Sequence, residues 1–121
     1  MIKLLLVIFC LQTYSNMNHT RIKNDKVELI NENGSLIRTI YSNNTAAVDA
    51  DMSGDGKLIV ITLENGSVDL RKDNGSDIRT MYMSSSNKAT RARFDGENVI
   101  ITLGNGKSQL TKQNGSPIRT F

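Results

Sequence analysis

Few residues in the chain have the types and spacing to do chemistry. Asp51, Ser53, Asp55 and Gly56 in "DMSGDGKLIVIT" (51 to 62) reproduce the first half of a calcium loop. Thr62 stands where the bidentate Glu belongs, and 58 to 63 reads as strand instead of helix, so a hairpin turn accounts for these residues. His19 is the only histidine and Cys10 the only cysteine, which leaves no partner for a thiolate metal cluster or a nucleophile triad. No pair of Asp or Glu is marked out for acid/base work. Nothing identifies a reaction, a metal or a cofactor, and the chain reads as non-catalytic. Two charged sets remain. Asp49 and Asp51 alternate in "AVDADM" as Arg91 and Arg93 do in "ATRARF", and Arg38, Arg79 and Arg119 recur in one phrase.

That phrase places the charges. "NGSLIRTI" (33 to 40), "NGSDIRTM" (74 to 81) and "NGSPIRTF" (114 to 121) recur at intervals of 41 and 40 residues. Upstream, "KLIVITLENGSVDL" (57 to 70) answers "ENVIITLGNGKSQL" (97 to 110). Internal repeats of this length decide the architecture before any local reading does. Each unit breaks into short apolar or alternating runs joined by turn signals, a meander of four antiparallel strands. In the second unit the runs are 47 to 52, 58 to 63, 67 to 72 and 78 to 82. The intervening turns are Gly54-Asp55-Gly56, Asn65-Gly66 and Asn74-Gly75; Asn-Gly suits two-residue hairpins that need positive φ at both central residues. The third unit repeats the plan with Asp95-Gly96, Asn105-Gly106 and Asn114-Gly115.

The fold class is therefore all-β, about three four-stranded repeats of 40 to 41 residues, either β-propeller blades or a β-trefoil. The continuous apolar runs Leu58-Ile59-Val60-Ile61 and Val99-Ile100-Ile101 favour blades, because a strand covered on both faces does not alternate. Residues 47 to 80 resemble the WD40 and related β-propeller blades, in which an alternating strand leads through a Ser-x-Asp-Gly-Lys turn to an Ile-Arg-Thr ending. The resemblance covers 47 to 121 well and 17 to 40 loosely. Arg71-Lys72 replaces Trp-Asp and no Gly-His pair precedes the blade, so the resemblance implies a generic blade and no particular partner.

In a blade the 47 to 52 strand lies nearest the central axis, so neighbouring blades would bring Asp49 and Asp51 toward Arg91 and Arg93. These four form either a charged, ligand-binding channel or an inter-blade ion pair that fixes neighbour order. Val48, Ala50 and Met52 would fill the opposite face, matched by Thr90, Ala92 and Phe94. Arg38, Arg79 and Arg119 would hold anions or a carbohydrate acid, or else block edge pairing on an outer strand. Two functions follow: a binding or scaffold module for another macromolecule, or a small lectin-like protein with repeated glycan sites.

The organisation expected is a signal peptide at 1 to 15, a degenerate first blade at 16 to 40, a second at 41 to 81 and a third at 82 to 121. "MIKLLLVIFCLQTYS" has one positive charge, an apolar run too short for a membrane helix and small residues before the expected cleavage, which implies export. Bulky Phe9 before Cys10 argues against lipid attachment. Three blades cannot close a ring, since propellers have about four to eight. Self-association solves this, with two chains giving six blades; a fragment of a longer propeller is the rival. A net charge of +3 with dispersed basic residues, and 5% aromatics without Trp, gives no nucleic-acid footprint. Of six Asn-x-Ser/Thr triplets, those at Asn33, Asn65, Asn74 and Asn114 are hairpin Asn-Gly followed by Ser; the others begin at Asn18 and Asn43.

Overall fold

The computed structural model describes residues 18–121, so the segment expected to be a signal peptide lies outside the described residues. Three separate antiparallel meanders follow one another along the chain. Blade 1 holds β1 (His19–Lys23), β2 (Lys26–Ile30) and β3 (Leu36–Tyr41). Blade 2 holds β4 (Ala47–Met52), β5 (Leu58–Leu63), β6 (Val68–Lys72) and β7 (Asp77–Tyr82). Blade 3 holds β8 (Ala89–Asp95), β9 (Asn98–Leu103), β10 (Ser108–Thr111) and β11 (Pro117–Thr120). Within each sheet the strands lie in sequence order, which gives successive blades and not the shared barrel of a trefoil. Among the described residues no helix is long and apolar enough to cross a membrane.

The hairpins differ from the expected Asn-Gly turns. Leu63 N–H donates to Ser67 O at 2.9 Å and Gly66 N–H to Leu63 O at 2.9 Å, so the loop has three residues and only Gly66 takes positive φ, at 87°. This is a tight turn followed by a left-handed glycine. Asn65 serves through its side chain: Oδ1 accepts the Ser67 N–H at 3.0 Å, as Asn74, Asn105 and Asn114 do for Ser76, Lys107 and Ser116 at 2.9, 3.0 and 2.9 Å. The amide oxygen fixes the turn, and the left-handed conformation falls to glycine alone. A two-residue hairpin with both central φ positive does occur between β1 and β2, at Asn24 (φ 51°) and Asp25 (φ 67°).

The blades are joined by their apolar faces. Val27, Leu29, Ile40 and Tyr41 of blade 1 pack on Ala47, Ile59, Ile61 and Leu63 of blade 2. On the other face of blade 2, Val60, Val68, Leu70 and Met81 pack on Ala89, Ala92, Val99, Ile101 and Leu103 of blade 3. Consequently β5 is buried on both faces from Ile59 to Leu63. The same was expected of β9, but there burial alternates: Val99, Ile101 and Leu103 are buried against blade 2, while Ile100 and Thr102 are only half-buried.

Register explains a second departure. Ala47 pairs with Leu63 and Asp49 with Thr62, so a bulge falls between them; the matching shift lies between Ala89 and Arg91. A bulge leaves one residue unpaired and re-aims the side chains beside it. Ala47 thereby joins Ala50 and Met52 on the buried side, and Val48, expected there, is 51% exposed.

Backbone contacts reinforce the packing. Ala47 N–H donates to Asp25 O at 3.0 Å, and Ala89 N–H to Gly66 O at 2.9 Å, the same junction repeated one blade later. Gly66 is confined there: a Cβ would lie 2.3 Å from Lys88 Cβ and 2.7 Å from Lys88 Cα. Gly106 has similar φ, +86°, and nothing within 4 Å. Gly106→Ala should therefore cost on the order of 1 kcal/mol from backbone strain alone. Gly66→Ala should cost about 3 kcal/mol or more, because blade 3 must also move. Denaturant unfolding of both variants checks this; equal losses would refute the close junction.

Candidate binding site

The charged candidates on the inner strands meet across blades 2 and 3. Arg93 Nη1 donates to Asp49 Oδ2, and Nη2 lies 3.3 Å from Asp49 Oδ1, a two-pronged contact between β8 and β4. Arg93 also donates to Ala92 O at 2.8 Å. Its hydrogen bond to Asp49 leads the causes that hold the guanidinium above its ordinary value. Asp51, the other expected partner, instead accepts the backbone N–H of Phe94 through Oδ2 at 2.9 Å. Arg91 is exposed. The arrangement joins neighbouring blades at two points, one charged and one through the backbone, and it arises because the bulges in β4 and β8 put their alternating side chains in step.

Arg38, Arg79 and Arg119 lie one per blade on β3, β7 and β11, all exposed. Each sits across from a leucine, Leu29, Leu70 and Leu110 respectively, and so projects from the same sheet face. They do not converge on a common point within one blade. Arg119 lies over the Phe121 ring, 5.5 Å from its centroid.

Sequence reasoning missed the junction between blades 1 and 2. Arg71, in the place of the Trp of Trp-Asp, stacks 5.0 Å from the Tyr41 ring centroid and donates to Gly75 O at 3.1 Å. Tyr41 hydroxyl donates to Thr45 O at 2.7 Å, as Tyr82 does to Asn87 O at 2.6 Å, so each tyrosine clasps the link to the next blade. Burial, and secondarily Asp69, pushes the Tyr41 phenol above its ordinary value. Asp69 is itself half-buried and accepts from Thr80 Oγ1 at 3.4 Å. Burial and then Asp77 raise its carboxyl above the ordinary range, against Arg71 and Thr80. The sequence signal was slight: one acid in the alternating "SVDL".

The "DMSGDGK" segment is a turn. Ser53 Oγ donates to Asp55 Oδ1 at 2.7 Å and accepts from Leu58 N–H at 3.0 Å, while Lys57 N–H donates to Asp55 Oδ1 at 3.0 Å. These bonds, the Ser53 hydroxyl first, hold the Asp55 carboxyl below its usual range. Among the described residues no group of three or more His, Cys, Asp or Glu is placed to hold a metal. The turn does border a cleft. Asp51, Met52, Phe94, Glu97 and Gln113 line an open cavity of about 450 Å³ between the loop ends of blades 2 and 3. Its lining combines the acids Asp51, Asp55 and Glu97 with the apolar Met52, Leu58 and Phe94.

Two measurements check these assignments. A double-mutant cycle should give Asp49 and Arg93 a coupling of about 0.5–1 kcal/mol, reduced by solvent access and by salt, and a smaller value for Asp51 with Arg93. Asp69→Asn tests the buried acid. Its folded-state value lies above that of the unfolded chain, so the folded protein holds the proton in the window between them. The stability it contributes falls as pH rises through that window. Asp69→Asn should therefore gain on the wild type as pH rises above the unfolded carboxyl's value of about 4, with the smallest difference below it; a difference independent of pH would contradict the burial argument.

No protein-family model matches the sequence, and no curated protein matches it. Solved structures do. The chain is similar to one in the crystal structure of the mitotic checkpoint complex, with TM-score 0.74 and 18% identity over 89% of this chain and 35% of that one. It is also similar to the WD40 β-propeller domain of Doa1, with TM-score 0.72 and 17% identity over 89% of this chain and 37% of that one. It thus spans little more than a third of the length of these two chains. Likeness at such identity speaks for the fold, and the fold is a stack of WD40-like β-propeller blades, with Arg71-Lys72 where Trp-Asp would stand.

Proposed function

We propose that the chain is a non-catalytic scaffold that binds a protein partner and associates with further copies of itself. The cleft between the loop ends of blades 2 and 3 carries this reading. Asp51, Met52 and Phe94 enter it from strands β4 and β8, and the exposed Glu97 joins them in its lining. Acidic groups lining the cleft together with Met52 and Phe94 suit a segment that places Lys or Arg beside an apolar side chain, with the charges steering the encounter. That one of the similar structures is of a multi-protein complex supports the same class of role. Arg38, Arg79 and Arg119 are assigned to the outer edges, where charge discourages strand addition.

A displayed library of short peptides panned against the immobilised full chain tests the cleft. Enrichment of basic-apolar peptides is expected, with binding weakened about tenfold by Glu97→Lys, equivalent to about 1.4 kcal/mol, and unchanged by Arg79→Ala. Binding of glycans with no peptide enrichment, abolished by Arg79→Ala, would replace this reading with the lectin-like one.

A further inference from the structure

Asn-Gly pairs stand at Asn33, Asn65, Asn74, Asn105 and Asn114, and all five asparagines are exposed. Such a pair is chemically labile, because glycine puts no Cβ beside its nitrogen and that nitrogen can close on the asparagine side-chain carbonyl. Exposure does not separate the five, but the hydrogen bonds of their turns do. The backbone is common to all: the glycine N–H donates to the carbonyl three residues back, to Asn31 O at 3.0 Å from Gly34 and to Leu63, Lys72, Leu103 and Lys112 O at 2.9 Å from the others. In four turns the asparagine side chain is committed as well. Asn65, Asn74, Asn105 and Asn114 each accept through Oδ1 the N–H two residues on, at 2.9 to 3.0 Å.

Asn33 is the exception. Its turn holds a second asparagine, Asn31, at the position filled by Leu or Lys in the other four, and Asn31 Oδ1 accepts both the Asn33 N–H and the Ser35 N–H at 2.9 Å. The Ser35 N–H that Asn33 would bind is therefore taken, and among the described residues the Asn33 side chain makes no hydrogen bond. This difference lies within one five-residue turn and does not depend on which blades stand beside it.

We propose that Asn33 is a self-modification site of the folded chain, at which deamidation proceeds through a succinimide. The Gly34 nitrogen gives its proton to solvent base and bonds to Asn33 Cγ; the Cγ–Nδ2 bond breaks, and Nδ2 takes up a proton and leaves as ammonia. Water then opens the ring. Opening at the side-chain carbonyl leaves an aspartate side chain, and opening at the main-chain carbonyl leaves an isoaspartate. Ammonia is exchanged for water with no change of oxidation state, and one negative charge is gained.

Ring closure requires the asparagine side chain to rotate until Cγ faces the glycine nitrogen. In four turns that rotation must break the Oδ1 bond, and losing a hydrogen bond of ordinary net strength slows the step by about fivefold. In the β2–β3 turn Asn31 keeps the loop closed while Asn33 rotates. Freeing the glycine N–H costs the same in all five and cancels. The isoaspartate form adds one bond to the main chain of a hairpin whose Leu29 and Ile40 pack on blade 2.

Incubation of the folded full chain at mildly alkaline pH, followed by trypsin digestion and mass spectrometry, tests this, since the five pairs fall on separate tryptic peptides. Asn33 should convert about fivefold faster than Asn74 and Asn114, which share its Asn-Gly-Ser sequence. Asn31→Leu installs the residue type found at this position before Gly66 and Gly106. It should return the Ser35 N–H to Asn33 and remove the advantage. In denaturant, where the turns are lost, the three sites should convert at similar rates. No preference for Asn33 in the folded chain, or a preference that survives Asn31→Leu or denaturant, would overturn the proposal.

Discussion

A blade cannot bury its own faces. A twisted four-stranded sheet has two sides, and in blade 2 both are aliphatic, with Ile59, Ile61 and Leu63 on one and Val60, Val68 and Leu70 on the other. Each such side chain gains about 1.5–3 kcal/mol only when a neighbouring sheet removes it from water. Blade 2 is accordingly the centre of the described structure, and blades 1 and 3 are its covers. The backbone junctions at Asp25 and Gly66, the Asp49–Arg93 pair and the tyrosine clasps position those covers; they add direction to an attraction that has none of its own.

Much of the scaffold could be read from the repeat. The phrase "NGS-IRT" marks a turn and the strand after it in every unit, and the apolar runs at 58 to 61 and 99 to 101 mark the strands that face their neighbours. What escaped the sequence has physical causes. The turns were misjudged because asparagine was credited with positive φ, when its side-chain oxygen does the work. Val48 was placed inside because strict alternation ignores a bulge, and a bulge leaves no mark in residue type. The β9 run was expected to be covered on both faces because composition reports what a strand can pack against, and not what is there.

The candidate site was legible in outline only. Asp49, Asp51 and Arg93 do gather at one inter-blade seam, but the pairing is Asp49 with Arg93, while Asp51 binds backbone and borders the cleft. The arginine that most resembles a specific anchor, Arg71, drew attention only as a departure from Trp-Asp. It bridges the gap between blades 1 and 2 through its stacking on Tyr41 and its bond to Ile40 O at 3.5 Å. Charge in this protein is mostly joinery. The surface proposed for recognition is the loop-end cleft.

The claim that blade 2 is stabilised from both sides and blade 3 from one is open to direct measurement by native-state hydrogen exchange. The backbone amides of β5, residues 59 to 62, should exchange only through global unfolding, while the matching amides of β9, residues 99 to 102, should open at a lower free energy. Equal protection of the two strands, or greater protection of β9, would contradict the account.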